Sequence, residues 1–175
     1  LDPEKDVGER IEALMLKART SANLVSGGGV EPLREALQLL PEDADAKLRA
    51  RVLEMLARRS TLSGDPQQGI EFSRQAIDAA AHADSESITA NAWITLGTSL
   101  AASGQEEEGL AAFERVSHLA RSSARTLLRF YINYSDALHH VGRYEDAASQ
   151  ALSGVEMASE LGLQRSLGAM LAGNA

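Results

Sequence analysis

Along most of the chain, apolar residues recur every three or four positions, and short polar breaks marked by glycine, proline or acidic residues interrupt the runs. The three sharpest breaks are Ser63-Gly64-Asp65-Pro66, Ser103-Gly104-Gln105-Glu106 and Val141-Gly142-Arg143-Tyr144. Gly64 to Gly104 is 40 residues and Gly104 to Gly142 is 38; a softer break, Ser26-Gly27-Gly28-Gly29, lies about 36 residues before Gly64. The pattern predicts nine helices, near 4–25, 31–40, 45–62, 66–82, 86–102, 106–121, 124–140, 144–160 and 163–175. Taken in twos they make helix pairs near 4–40, 45–82, 86–121 and 124–160, followed by an unpaired helix at 163–175.

Each break carries local chemistry that ends one helix and starts the next. Glycine adopts the left-handed backbone that closes a helix at little steric cost. Asp65-Pro66 reads as an N-cap followed by a first helical position, where proline's missing N–H does no harm. Glu106, Glu107 and Glu108 place negative charge at the positive end of the helix they open, as do Glu145 and Asp146.

Aligning the three glycine turns exposes the repeat. Seven residues before them sit Ala57, Gly97 and Ser135, and five residues after them Gly69, Gly109 and Ala147, all small. Large residues recur eleven and eight before: Leu53, Trp93, Tyr131 and Leu56, Leu96, Tyr134. Small residues at matching places let the two helices of a pair cross closely, while large ones fill the gap to the next pair.

On these residues the chain resembles the tetratricopeptide repeat family. Trp93, Leu96, Gly97, Leu100, Gly104, Gly109 and Phe113 follow the family's signature in order; Tyr131, Tyr134, Leu138, Gly142, Tyr144, Ala147 and Ala151 follow it closely. The second pair matches in its first helix and departs at Ser73, where a large apolar residue is usual; the first pair fits as two helices without a fixed register. The resemblance implies an all-α, right-handed superhelical stack of antiparallel helix pairs. It also implies that the recurring aromatics are core residues, so Trp93→Ala is expected to destabilise strongly.

Composition narrows the function classes. The formal charge is −8, so the chain as a whole repels a phosphate backbone and direct nucleic-acid binding is disfavoured. Zero cysteines exclude a disulfide framework and thiolate metal sites, which fits a cytoplasmic location. No apolar run approaches the roughly 20 residues that span a bilayer. His82, His118 and the adjacent His139-His140 lack metal-ligand spacing, and Gly27-Gly28-Gly29 lacks the lysine and hydroxyl of a phosphate loop. No nucleophile elbow or cysteine nucleophile is present, so a non-enzymatic module without cofactor or metal is expected.

What remains is binding. Two loose arginine clusters, Arg49, Arg51, Arg58, Arg59 and Arg115, Arg121, Arg125, Arg129, are interleaved with acids and read first as solvated faces. In tetratricopeptide arrays the first helix of each pair lines the concave surface. By register the resemblance gives the groove candidates Arg51, Glu54, Arg58, Asn91, Ile94, Thr98, Arg129, Ile132, Asn133, Asp136 and His139. A peptide or protein partner, or a small inducer, is the expected occupant. The lining lacks the Lys/Asn arrangement of the chaperone-tail carboxylate clamp.

The stretch 137–147, with 158–162 after it, is further similar to the helical-repeat segment of large bacterial LuxR-type regulators related to the maltose activator. Those proteins carry an ATPase module before the repeats and a DNA-binding helix-turn-helix after them. That resemblance implies a signal-receiving segment of a longer transcriptional regulator. The alternatives are a free-standing adaptor or scaffold, and repeats that regulate an attached kinase or cyclase. Leu167, Met170 and Leu171 of the unpaired last helix make self-association through that end a further expectation.

Overall fold

The computed structural model describes residues 3–21 and 29–162. Among them the helices are α1 (Pro3–Ser21), α2 (Val30–Leu39), α3 (Ala46–Leu62), α4 (Pro66–Ala81), α5 (Glu86–Ala102), α6 (Glu106–Val116), α7 (Ala124–His140) and α8 (Tyr144–Glu160), with one 3-10 turn at Leu119–Ser122. The described residues contain no strand. The expected helix at 163–175, and the self-association argued from it, lie outside the described residues. The sixth helix stops short of its expected end at 121. There the Ser117 hydroxyl and amide both turn back onto the Glu114 carbonyl, tightening the last turn into the 3-10 segment.

The local signals act as the sequence implies. Asp45 accepts a hydrogen bond from the Leu48 amide at 3.1 Å, Asp65 from Gln68 at 3.0 Å and Ser123 from Thr126 at 3.1 Å, each satisfying an otherwise orphaned donor. Gly64, Gly104 and Gly142 have φ of 88°, 81° and 79°. The residue after each glycine donates back to the carbonyl five residues earlier. These bonds run from Asp65 to Ser60, Gln105 to Leu100 and Arg143 to Leu138, each 2.9 Å long. The repeat is therefore the same at the level of individual hydrogen bonds.

Small residues set the crossing of α5 and α6. A Cβ on Gly97 would stand 2.8 Å from Phe113 Cε2 and 3.0 Å from the Gly109 carbonyl oxygen; one on Gly109 would stand 2.9 Å from the Gly97 carbonyl. That contact seats Phe113, which is fully buried and packs against Phe130 and Tyr134 with ring centroids 6.2 and 5.4 Å away. The aromatic expectation is refined at Trp93 and corrected at Tyr144. Trp93 packs against the buried clusters around Ile94 and Leu96, with the Arg115 guanidinium 4.8 Å over its ring, and Phe113 is the more deeply buried anchor of this pair. Tyr144 is 63% exposed at the start of α8, where its ring meets His139.

Helices pack as successive hairpins, α1 with α2, α3 with α4, α5 with α6 and α7 with α8. Across pairs, α3 packs on α5 and α5 on α7, so the first helices of successive pairs lie side by side. That alignment builds the wall on which the candidate site sits.

Candidate binding cleft

The two arginine clusters of the sequence do not stay apart. Arg51, Arg58 and Arg59 of α3 and Arg125 and Arg129 of α7 line one open cleft of about 430 Å³, to which α1 adds Arg19 and α5 adds Ile88 and Asn91. Glu54 and Met55 complete the lining. Arg49, Arg115 and Arg121 turn elsewhere: Arg49 donates to the Pro41 carbonyl at 2.6 Å, Arg115 covers Trp93, and Arg121 joins a separate recess beside Glu114, Tyr131 and Tyr134.

The floor of the cleft is a buried polar network joining three helices. Arg129 Nη1 donates to Glu54 Oε1 at 2.8 Å and to Asn91 Oδ1 at 2.7 Å, and its Nη2 donates to the Thr95 hydroxyl. Thr95 in turn donates to Glu54 Oε1 at 3.1 Å. Burial alone would raise the Glu54 carboxyl. The Arg129 and Arg58 cations and the hydrogen bonds from Arg129 and Thr95 outweigh it, holding its pKa below the ordinary value. Arg129 moves down because of burial, partly offset by Glu54. Asn91 is also spent, with its amide donating to the Ser87 carbonyl at 2.8 Å and to the Thr126 hydroxyl at 3.1 Å.

Further along the wall, Thr98 donates to Asn133 Oδ1 at 3.2 Å and the Asn133 amide donates to the Arg129 carbonyl at 2.7 Å. Thr98, Asn133, Asp136 and His140 line a second, smaller recess of about 130 Å³. The polar residues expected to meet a ligand's backbone are thus largely engaged with one another, tying adjacent pairs together.

Of the groove candidates, Arg51, Glu54, Arg58, Asn91 and Arg129 come together in the cleft, and Thr98, Asn133 and Asp136 in the second recess. Three lie elsewhere. Ile94 is fully buried with Phe113 and Leu110 in the α5–α6–α7 core. Ile132 packs with Leu128, Val155, Met157 and Ala158 between α7 and α8. His139 meets Tyr144 at 5.3 Å between ring centroids, on the flank facing α8. On α7 the groove stripe runs 129, 133, 136 and 140, with spacings of four, three and four that stay on one helical face; 132 and 139 each sit one residue, about 100°, off it.

Register transfer missed Arg19, Met55, Arg59, Ile88 and Arg125 in the cleft and His140 in the recess. One usable signal existed. Arg51/Arg58 and Arg125/Arg129 are helical-face stripes on first helices of alternate pairs, which a solenoid brings to the same side. Among the described residues no three His, Cys, Asp or Glu side chains converge as a metal site, and no helix is long and apolar enough to cross a membrane.

No protein-family model matches the chain, and no curated protein matches it. Solved structures do. Aspartyl phosphate phosphatase F from Bacillus subtilis superposes with a TM-score of 0.71 at 14% identity, over 88% of this chain and 41% of that one. A Podosopora anserina chain of nearly identical TPR-like repeats, assigned to kinesin light chain, superposes with a TM-score of 0.65 at 17% identity, over 91% of this chain and 78% of that one. The chain therefore spans about two fifths of the phosphatase's length. At these identities the likeness concerns architecture: the chain has the all-helical, TPR-like solenoid fold.

Proposed function

We propose that the chain is a binding module and that the arginine cleft is its receiving surface. The observation that carries this reading is the convergence of six guanidinium groups from α1, α3 and α7 on one open cleft, in a chain whose formal charge is −8. Scattered surface arginines would be spread among the acids. A concentration of this kind on one wall creates a local field opposite to that of the whole molecule. The cleft volume lies in the range of about 300–1,000 Å³ common for ligand pockets, suited to a small molecule or to a few side chains of a partner.

The setting we propose is the signal-receiving repeat region of a larger LuxR-type transcriptional regulator. There the module receives a peptide, a protein segment or a small inducer and passes the event on through the contacts that tie α3, α5 and α7 together. Support for this setting comes from the sequence resemblance at 137–147 and 158–162. The reading frame tests it: an upstream G-x-x-x-x-G-K-[ST] and a downstream helix-turn-helix support the regulator. A start codon near Leu1 with a stop soon after Ala175 fits a free-standing adaptor instead.

The receiving surface is tested by a counter-screen. Binders selected from a displayed peptide library against the chain are re-measured against Arg125→Glu, an exposed cleft position. Binders that lose affinity support the cleft. Binders indifferent to Arg125→Glu and sensitive to changes on α4 and α6 would place the surface on the second helices and overturn the reading.

A further inference from the structure

The cleft has more positive charge than its own acids neutralise. Arg129 is paired with Glu54 in the floor, and Arg51 with Glu12 on the rim at 2.8 Å. Among the described residues Arg19, Arg58, Arg59 and Arg125 form no ion pair. Arg58 and Arg59 are consecutive on α3 and both half-buried, and the Nε of each is buried without a hydrogen-bond partner. Buried donors in folded proteins are nearly always satisfied, and these two orphans belong to adjacent residues that line the open cleft. Burial and the neighbouring Arg58 charge, partly offset by Glu54, also make the Arg59 cation less favourable than in water.

The rest of the lining says which acceptor fits. Asn91, Thr95 and Asn133 are occupied in the inter-helix network, so little is left to read a ligand's main chain. Guanidinium groups remain, and their forked donors match carboxylate and phosphate oxygens. The surrounding chain is acidic, which disfavours a long nucleic-acid backbone and leaves a compact charged group as the match.

We propose that the Arg58, Arg59 and Arg125 side of the cleft is an oxyanion site that takes a multiply charged phosphate or carboxylate group. This deepens the receiving-surface reading above and rests on it. The oxyanion accepts from the guanidinium groups that the fold leaves without an ion pair, while the Glu54–Arg129 pair remains the floor. The group can belong to a free small molecule or to acidic side chains of a partner; the chemistry is the same.

The test is calorimetric titration at low salt with three probes: pyrophosphate, a glutamate-rich peptide and a serine–glycine peptide of equal length. The expected result is saturable binding of pyrophosphate or the glutamate peptide and none of the neutral peptide. Affinity should fall roughly tenfold or more in Arg58→Gln/Arg59→Gln, the cost of losing charge-assisted hydrogen bonds. Because that pair is half-buried, the exposed Arg125→Gln serves as a second variant, expected to weaken binding with circular dichroism unchanged. Arg74→Gln on α4, outside the cleft, should bind as the unaltered chain does. Pyrophosphate binding alone assigns the site to a small molecule, and glutamate-peptide binding alone to a partner's side chains; either supports the oxyanion site. Absence of saturable binding by both anions to the folded protein overturns it, as does equal binding by Arg125→Gln. If both anions fail while library binders still depend on Arg125, the oxyanion assignment falls and the receiving surface stands.

Discussion

Glu54 and Arg129 are 75 positions apart in sequence and meet at 2.8 Å, joining the first helix of the second pair to the first helix of the fourth. The intervening α5 contributes Thr95 and Asn91 to the same knot. In most solenoids each unit touches only its neighbours, so a bond that skips a pair couples three units at once.

Removing one partner of this pair should cost more than removing both. Arg129→Met leaves a carboxylate buried without its cation, a loss of roughly 3–5 kcal/mol, and Glu54→Leu leaves the opposite charge. The double variant should lose less than Arg129→Met alone, with a coupling of about 1 kcal/mol or more in urea unfolding. Strict additivity would show that the contact carries no stability.

Acid should weaken the fold through the same carboxylate. The pKa of Glu54 in the folded chain lies below its ordinary value of 4.5, so its contribution is complete above that value and is lost as pH falls through the lowered folded value. Urea midpoints measured from neutral pH to below 4.5 should therefore drop less steeply in Glu54→Gln than in the unaltered chain. Parallel curves would remove Glu54 from the acid response.

Two glycines should respond to alanine for different reasons. Gly97→Ala drives a Cβ to 2.8 Å from Phe113 and should cost about 1–3 kcal/mol by overpacking. Gly64→Ala meets open space at φ 88° and should cost about 1 kcal/mol from backbone strain alone. Combining Gly97→Ala with Phe113→Leu should recover part of the first loss and leave the second untouched. Thermal or urea unfolding of these three variants, with Phe113→Leu alone as the fourth, decides it.

The core anchor is Phe113. Phe113→Ala should cost about 3–5 kcal/mol, and Trp93→Ala should cost less, about 2 kcal/mol, because Trp93 is not fully buried. Trp93 is the sole tryptophan, so its emission reports directly on this site, and Arg115→Ala should shift that emission to longer wavelength. A larger loss at Trp93 than at Phe113 would reverse the assignment.

The fold was legible because its determinants are local. Gly64, Gly104 and Gly142 end helices by their own backbone freedom, Asp65 and Ser123 start them with their own side chains, and Gly97 with Gly109 marks a crossing within one hairpin. The cleft was only half legible because it depends on which side of each helix faces across pairs. A one-residue difference separates Asn133 from Ile132 and His140 from His139, and a rotation that small is fixed by packing of α7 on α5 and α8. Nor does spacing reveal that Asn91 and Thr95 are spent on Arg129, since their partner lies more than thirty positions away. Tyr144 looked like core by register, yet at the first position of α8 no later helix among the described residues covers it.

The most direct test of the receiving cleft is a titration with pyrophosphate followed on the arginine Nε–Hε resonances. The Arg58 and Arg59 signals, whose Nε donors lack partners in the free protein, should move together and saturate, while Arg10, Arg34 and Arg74 stay still. Shifts spread evenly over those outer arginines, with Arg58 and Arg59 unmoved, would contradict it.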